Sequence, residues 1–361
     1  IPYSRPLVLF WNIFGLLSGE SAGISWTSSV NVLEDPITKY FDDLFNSLPS
    51  MENKTVAITG TTSGLGFYAA ESVAKLGAKV LLLNRPSTRA ESSLNLLRQN
   101  CANGNFHRVD CDLQSFDSVK TAFPKINEIC SDGLDVLCNN AGVMALKDKA
   151  TIDGFDVQMQ TNHLSHFLLT KLCMPLLEKA SQLRDEARIV NHSSIARFQT
   201  KRLKEQFLEK KGGNLGGDGG NLMFGGGRWE RYAQTKLANA AFTACLHEKL
   251  QKNNSKIRAM VAHPGLAESD LQSTTVEDGG MGSFFTKYLM KFGQSEKDGT
   301  LGLLRCIADP KINSGSMVGP GLKGMKGKAK SFSLESFYDN PEVKSMLWAK
   351  SCEAIGESFE I

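Results

Sequence analysis

The stretch TGTTSGLG, Thr59 to Gly66, stands between the apolar run VAI and the helix-spaced segment FYAAESVAKLG, and it limits what this chain can fold into more than any other feature. Glycines among small hydroxyl residues, placed where a strand hands over to a helix, let the backbone come close to a bulky anion, and a helix start offers unpaired N–H groups to receive it. In this context the pattern reads as a dinucleotide site. Gly60 lets the chain turn, Gly64 admits the pyrophosphate and Gly66 allows close helix packing, with Thr62, Ser63 and Leu65 completing the loop.

From Lys54 onward, short β-branched or leucine-rich runs alternate with longer amphipathic ones. TVAIT, KVLLLN, FHRVD, LDVLCN, ARIVNHS and IRAMVAH are expected as buried strands, with helices of about ten residues or more between them. Such alternation predicts an α/β fold with a single doubly wound parallel sheet, helices on both faces and right-handed crossovers. The domain is expected over residues 51–361, with 1–50 as an extension for docking or peripheral contact and a C-terminal amphipathic helix over about 341–356. The stretch GGNLGGDGGNLMFGGG, within an insertion spanning 200–228, is too rich in glycine for a regular element and reads as a mobile flap.

Composition narrows the function classes. The 361 residues are 41% hydrophobic and 22% charged, as in an ordinary globular protein, and a net charge of +3 gives no reason to expect nucleic acid. The basic run KGMKGKAK, 323–330, reads as a solvated loop. Eight cysteines without CxxC spacing point to reduced thiols inside a cell or organelle. The chain opens on Ile1 rather than Met, so we expect a removed targeting segment or missing residues, with a plastid or mitochondrial destination. RPLVLFWNIFGLLSG is apolar but shorter than a membrane span, which needs about 20 residues, leaving contact with a membrane surface or partner complex, or packing on its own domain.

The second strand ends in LLLNR, where a cofactor with free ribose hydroxyls would usually meet a carboxylate. Asn84 and Arg85 stand there instead, with Arg89 one turn on; guanidinium suits a 2′-phosphate and favours NADP(H). Asp112 and Leu113 are candidates to border the adenine.

TGTTSGLG, NNAG (Asn139 to Gly142), Asn162 in TNHLSHFLLT, Ser194 in RIVNHSS, Tyr232 and Lys236 in YAQTK, and HPG (His263 to Gly265) follow one another in an order that resembles the short-chain dehydrogenase/reductase family, from about Lys54 to Pro320. The resemblance is strongest to its retinol dehydrogenase and protochlorophyllide reductase branch. It implies a Rossmann-type nucleotide fold, cofactor contacts from Asn140, Ala141, Gly142, Pro264 and Gly265, and a lipophilic substrate of retinoid, isoprenoid, sterol or tetrapyrrole type. Asn162, similar to the family's fourth active-site residue, would hold a water on a proton route. After HPG the family often has Thr near Ser269, whose hydroxyl would serve the cofactor's carboxamide.

The catalytic logic also follows from the residues themselves. Carbonyl reduction needs a hydride donor, a proton donor and something to polarise the carbonyl oxygen. Lys236 lies four residues past Tyr232 on one helix face, so its charge is expected to favour the phenolate, with Tyr232 as general acid or base. Lys236 would also hold the nicotinamide ribose, and Ser194 would donate to the substrate oxygen. His163 and His166 have i, i+3 spacing but lack a neighbouring carboxylate or cysteine pair, so no metal is expected. The alternative to an enzyme is a structural or assembly subunit that keeps its NADP(H).

Overall fold

Six of the strands follow from buried apolar runs, and the computed structural model places them side by side. It describes residues 37–219, 225–267, 275–276, 278–280, 293–322, 324–334 and 340–361. The strands are β1 (Thr55–Thr59), β2 (Lys79–Asn84), β3 (Asn105–Asp110), β4 (Val136–Asn139), β5 (Ala187–His192) and β6 (Ile257–Ala262), continued by β7 (Ser316–Leu322) and β8 (Lys326–Ser333). The sheet runs β3-β2-β1-β4-β5-β6-β7-β8, with β8 alone antiparallel. Sequence order reverses between β1 and β4, creating the crevice in which doubly wound sheets bind ligands.

The period of two splits each inner strand between two cores. Val56, Ile58, Val80 and Leu82 face one side, covered by α2 (Gly64–Lys75) and α7 (Glu296–Ala308). Ala57, Leu81 and Leu83 face the other, covered by α4 (Phe116–Ile129), α5 (Ser165–Arg184) and α6 (Gly227–Lys252). Helix α3 (Thr88–Asn100) starts on Ser87, whose hydroxyl accepts the Ala90 N–H at 3.2 Å.

Three expectations change. The compact unit begins at Thr38, so residues 38–50 join the domain. Helix α1 (Phe41–Phe45) buries Phe41, and the Lys39 and Tyr40 N–H groups donate to the Asp298 carboxylate at 2.9 and 3.0 Å. Residues 1–36, and with them the apolar opening, lie outside the described residues. The basic run is largely a strand: Lys326, Lys328 and Lys330 are exposed on the sheet's edge, where lysine discourages pairing with another chain.

The glycine-rich stretch is also held where it is described. The Gly212 N–H donates to the Gly154 carbonyl, the Leu215 and Gly217 N–H groups donate to Asp148 Oδ2 at 2.8 and 2.7 Å, and the Leu215 side chain is buried. A carboxylate that accepts two backbone donors replaces the hydrogen bonds that glycine-rich chain cannot find in a regular element. Residues 220–224 lie outside the description.

The last helix, α8 (Pro341–Ile355), is capped by Asn340, starts on a proline and ends at Gly356 with φ 71°. Its Trp348, with Phe359 beyond it, closes an aromatic cluster with Phe167 and Phe242 at centroid distances of 5.0 to 6.0 Å. Phe359→Ala should therefore lower stability by about 3 kcal/mol in urea unfolding and make residues beyond 340 sensitive to protease in native buffer. An unchanged midpoint would show that the C-terminal segment is not part of the core.

Candidate active site

The glycine loop is fixed from two sides. Thr61 N–H donates to Asn84 Oδ1, and Asn84 Nδ2 donates back to Thr61 Oγ1, both at 2.8 Å. Asn84 is thus spent on holding the loop from below instead of facing a ribose. On the other side, the Asn140 and Ala141 N–H groups donate to Thr59 Oγ1 at 3.0 and 2.9 Å, and Asn140 Nδ2 donates to the carbonyls of Thr59 and Gly60. A Cβ on Gly66 would lie 2.1 Å from the Gly60 carbonyl oxygen, so the first turn of α2 packs directly on the loop. Gly60 and Gly64 both have positive φ, 71° and 58°. The side chain of Ser63 does not cap α2; it accepts from Arg89 Nη2 at 2.6 Å, which brings a guanidinium to the mouth of the loop. Thr62 is half-buried and Leu65 buried beside it.

The other cofactor candidates are more dispersed. Arg85 is exposed just past β2. Asp112 is half-buried and uses one carboxylate oxygen to accept the Gln114 N–H, while the carbonyl of buried Leu113 accepts from the Ser165 hydroxyl. Pro264 and Gly265 follow β6; a Cβ on Gly265 would come 2.3 Å from the Met325 carbonyl oxygen, so the turn between β7 and β8 closes on them. Ser269 lies outside the described residues.

The four catalytic candidates stand just past β5 (Ser194), on α6 (Tyr232 and Lys236) and in the turn ahead of α5 (Asn162). Ser194, just past β5, accepts the Ala196 N–H on its hydroxyl at 3.2 Å and lies near enough to Tyr232 to pull its hydroxyl down. Lys236 Nζ donates to the His192 carbonyl at 3.2 Å and lies 5.6 Å from the Tyr232 ring centroid. Asn162 sits in a π-helical turn, Gln160–Leu164, ahead of α5. Its amide bridges two elements: Oδ1 accepts the Val143 N–H, while Nδ2 donates to the Val143 carbonyl and Thr235 Oγ1. The side chain therefore clamps the loop after β4. Both histidines of NHLSH use both ring nitrogens in buried hydrogen bonds, His163 with Asn239 and Ser351, His166 with Thr59 and the Asn162 carbonyl.

A dry wall surrounds the phenol. Trp229 meets Tyr232 edge-on at 6.0 Å, with Ala145 and Ala196 packed beside them. Burial pushes the Tyr232 hydroxyl up to about 12 and pulls the Lys236 ammonium down to about 8. For the phenol, desolvation is the larger influence and Ser194 pulls the other way.

Whether the chain fits a dinucleotide can be judged at Gly142. A Cβ there would lie 3.2 Å from Asn162 Oδ1 and 3.4 Å from Lys236 Nζ, so the glycine keeps bare backbone between the glycine loop's partner Asn140 and Lys236. Uncapped α2, Arg89 over Ser63 and this cradle suit an extended, anionic ligand.

Sequence reading missed Arg231, the residue before Tyr232. Its guanidinium is fully buried and donates to the carbonyls of Leu146, Leu215 and Gly217, with Asp148 at 3.5 Å. Its Nε faces Asp156 Oδ2 at 3.2 Å without hydrogen-bond alignment, and burial raises that carboxyl to about 6. One side chain thus joins the catalytic helix to the loop after β4 and to the glycine-rich insertion. The available signal is the acidic set Asp148, Asp156 and Asp218, spread over the loop after β4 and the insertion.

A family model described as short chain dehydrogenase matches residues 54–205. Short-chain dehydrogenase TIC 32 A, chloroplastic, of Brassica napus is 32% identical over 272 residues, covering 72% of this chain and 75% of that protein. Human retinol dehydrogenase 13 is 28% identical, covering 86% and 87%. A crystal structure of an uncharacterised protein from Mycobacterium paratuberculosis superposes with a TM-score of 0.68 at 29% identity, covering 88% of this chain and 98% of the other.

Replacing Arg231 with Met should cost about 3–5 kcal/mol by leaving Asp148 and Asp156 buried without their cation. Thermal unfolding checks this; a loss below about 1 kcal/mol, the level of an exposed pair, would show that the cluster is not what fastens the insertion.

Proposed function

Because the chain belongs to the short-chain dehydrogenase family, we propose that it is an NADP(H)-dependent oxidoreductase interconverting a carbonyl and an alcohol, or reducing an activated double bond, on a lipophilic substrate. The observation that carries the reading is the convergence of Tyr232, Lys236 one helical turn on with its Nζ 5.6 Å from the Tyr232 ring, and the Gly142 cradle against that Nζ, with Ser194 beside the phenol.

In this reading Gly60, Thr62, Ser63, Gly64 and Leu65 hold the pyrophosphate at the start of α2, and Arg89 with Arg85 receives the 2′-phosphate. Asp112 and Leu113 border the adenine, Asn140, Ala141 and Gly142 line the cradle, and Pro264, Gly265 and Ser269 serve the carboxamide end. When bound, NADPH supplies the hydride. The chain does the rest. Ser194 donates a hydrogen bond to the carbonyl oxygen and steadies its growing negative charge. Tyr232 gives its proton to that oxygen: its O–H bond breaks as the product O–H bond forms, and Lys236 holds the nearby positive charge that stabilises the resulting phenolate. A phenol held at about 12 keeps its proton until the far more basic alkoxide-like oxygen develops. The oxidation runs the same steps in reverse.

The lipophilic substrate is supported by the relative named for retinol and by the apolar wall of Trp229, Ala145 and Ala196 around Tyr232. Similarity to a chloroplastic relative favours an organelle. No helix among the described residues is long and apolar enough to cross a membrane, and we assign residues 1–36 any peripheral contact.

The test is protein-dependent NADPH oxidation over a panel of lipophilic aldehydes, ketones and tetrapyrroles, with cofactor binding followed by fluorescence. Tyr232→Phe should bind NADPH normally and lose at least about 100-fold in turnover, the scale of a proton donor's contribution; cofactor binding without turnover in the parent protein would favour an assembly subunit. Arg89→Asp and Arg85→Asp should weaken NADPH more than NADH, and equal effects on both would remove the 2′-phosphate assignment. Reduction should also slow as pH rises through about 8, because Lys236 is charged below that value and neutral above it; Lys236→Arg, charged throughout, should flatten that limb.

A further inference from the structure

The buried NHLSH histidine leads from the C-terminal helix to the catalytic lysine. Four hydrogen bonds link them: Ser351 Oγ with His163 Nε2 at 3.0 Å, His163 Nδ1 with Asn239 Oδ1 at 3.3 Å, Asn239 Nδ2 with the His192 carbonyl at 2.9 Å, and Lys236 Nζ with that same carbonyl at 3.2 Å. Ser351 and His163 are fully buried, and Asn239 is buried too.

The direction of every bond follows from its end. A carbonyl only accepts, so the Asn239 group facing His192 must be the NH2, and Oδ1 must face His163. Oδ1 only accepts, so His163 carries its proton on Nδ1. Its Nε2 is then a lone pair, and the Ser351 hydroxyl donates to it. Desolvation, reinforced by neighbouring His166, holds His163 down to about 3, so the ring stays neutral and this tautomer persists at any physiological pH. The chain of donors therefore has one polarity, running from α8 through the π-helical turn ahead of α5, then α6, to the end of β5.

We propose that Ser351, His163 and Asn239 are positioning residues through which the C-terminal helix fixes the His192 carbonyl and thereby the ammonium of Lys236. The positioning role in catalysis rests on the assignment of Lys236 given above, but the geometric claim does not. Two donors share one carbonyl oxygen, so Asn239 determines where that oxygen points and how well it receives the ammonium. Around Lys236 the titratable groups are Tyr232 on its own helix, His192 on β5 and His166 on α5; both histidines are held neutral by burial, so no other side-chain charge masks the carbonyl's effect.

The test reads Lys236 directly by NMR titration of ¹⁵N-lysine-labelled full-length protein, its Nζ signal assigned by its loss in Lys236→Arg. Ser351→Ala leaves His163 Nε2 without a donor; we expect the Lys236 midpoint to fall by roughly half a pH unit, as a hydrogen bond to a charged group weakens, and Ser351→Thr to restore it. Asn239→Asp removes the donor to His192 and adds a negative charge, and should raise the midpoint instead. Midpoints unchanged in Ser351→Ala and Asn239→Asp, with folding intact, would overturn the proposal. So would Ser351→Thr behaving like Ser351→Ala, because loss of packing alone would then account for the shift. Activity assays on the same variants are separate: a parent protein that turns over nothing refutes the enzyme reading and leaves this titration decisive for the positioning one.

Discussion

The carboxyl ends of β1, β4 and β5 leave the sheet inside the protein, and every backbone polar group released there needs a partner. A buried N–H or carbonyl without one costs about as much as a lost hydrogen bond. This chain meets the demand with side chains from the neighbouring strand end. Thr59 receives two N–H groups from the chain after β4, Asn140 answers two carbonyls after β1, and the His192 carbonyl receives Lys236 and Asn239. Asn139 Nδ2 meanwhile donates to Asn191 Oδ1, whose own Nδ2 donates to Thr243. Satisfying the sheet's end and building the site are one act: the residues that close these bonds also place the glycine loop, the Gly142 cradle and the lysine.

A second constraint acts from the rim. Arg231 and Arg228 project from the first turn of α6, and between them they hold the chain near Ala145 to Asp148, the insertion at Leu215 to Asp218, and Asp278. Buried charges are kept when removing one partner would strand the others, and here the stranded partners lie in the loop that brings Ala145 to Tyr232 and in the glycine-rich insertion. The glycine content that makes the insertion read as loose is what lets its carbonyls turn inward onto one guanidinium. Flexibility in the free chain and fixity in the fold are compatible, because the ordering cost is met by a desolvated cluster rather than by a regular element.

How much of this the sequence discloses depends on the range of the interaction. Strands β1 to β6, the glycine loop and the α8 helix are legible because period, apolar runs and capping residues are local, as with Asn340, Pro341 and Gly356. Strands β7 and β8 are not: SMVGPGL and KGKAKSFS carry proline, glycine and lysine that local rules assign to loops, and they become strands through pairing with β6 and with each other. Within the site, Ser194, Tyr232 and Lys236 are singled out by the order of the motifs that carry them, but the occupation of Asn84 and Asn162 is not legible, since their partners are 23 and 19 residues away. Arg231 is the extreme case. Nothing local distinguishes an arginine in a helix's first turn from a solvated one, and only the convergence of Asp148 and Asp156 on it makes burial tolerable.

Tyr232 and Lys236 also show why a sequence argument about charge can name the pair and misjudge its state. Proximity alone has the ammonium acidifying the phenol, as it would in water with the two groups facing each other. In the fold the same burial acts on both and in opposite senses, raising the acid and lowering the base, so each is driven toward its neutral form. A neutral phenol in a dry wall is a proton donor awaiting a basic oxygen, and a lysine near 8 responds to small changes in what its ammonium can touch. The second property makes the His192 carbonyl consequential: with solvation removed, this carbonyl is a fixed acceptor for the ammonium, and its placement is shared with Asn239. Burial thus sets the state of both groups, and the His192 carbonyl, held by Asn239, is where the ammonium finds its fixed acceptor.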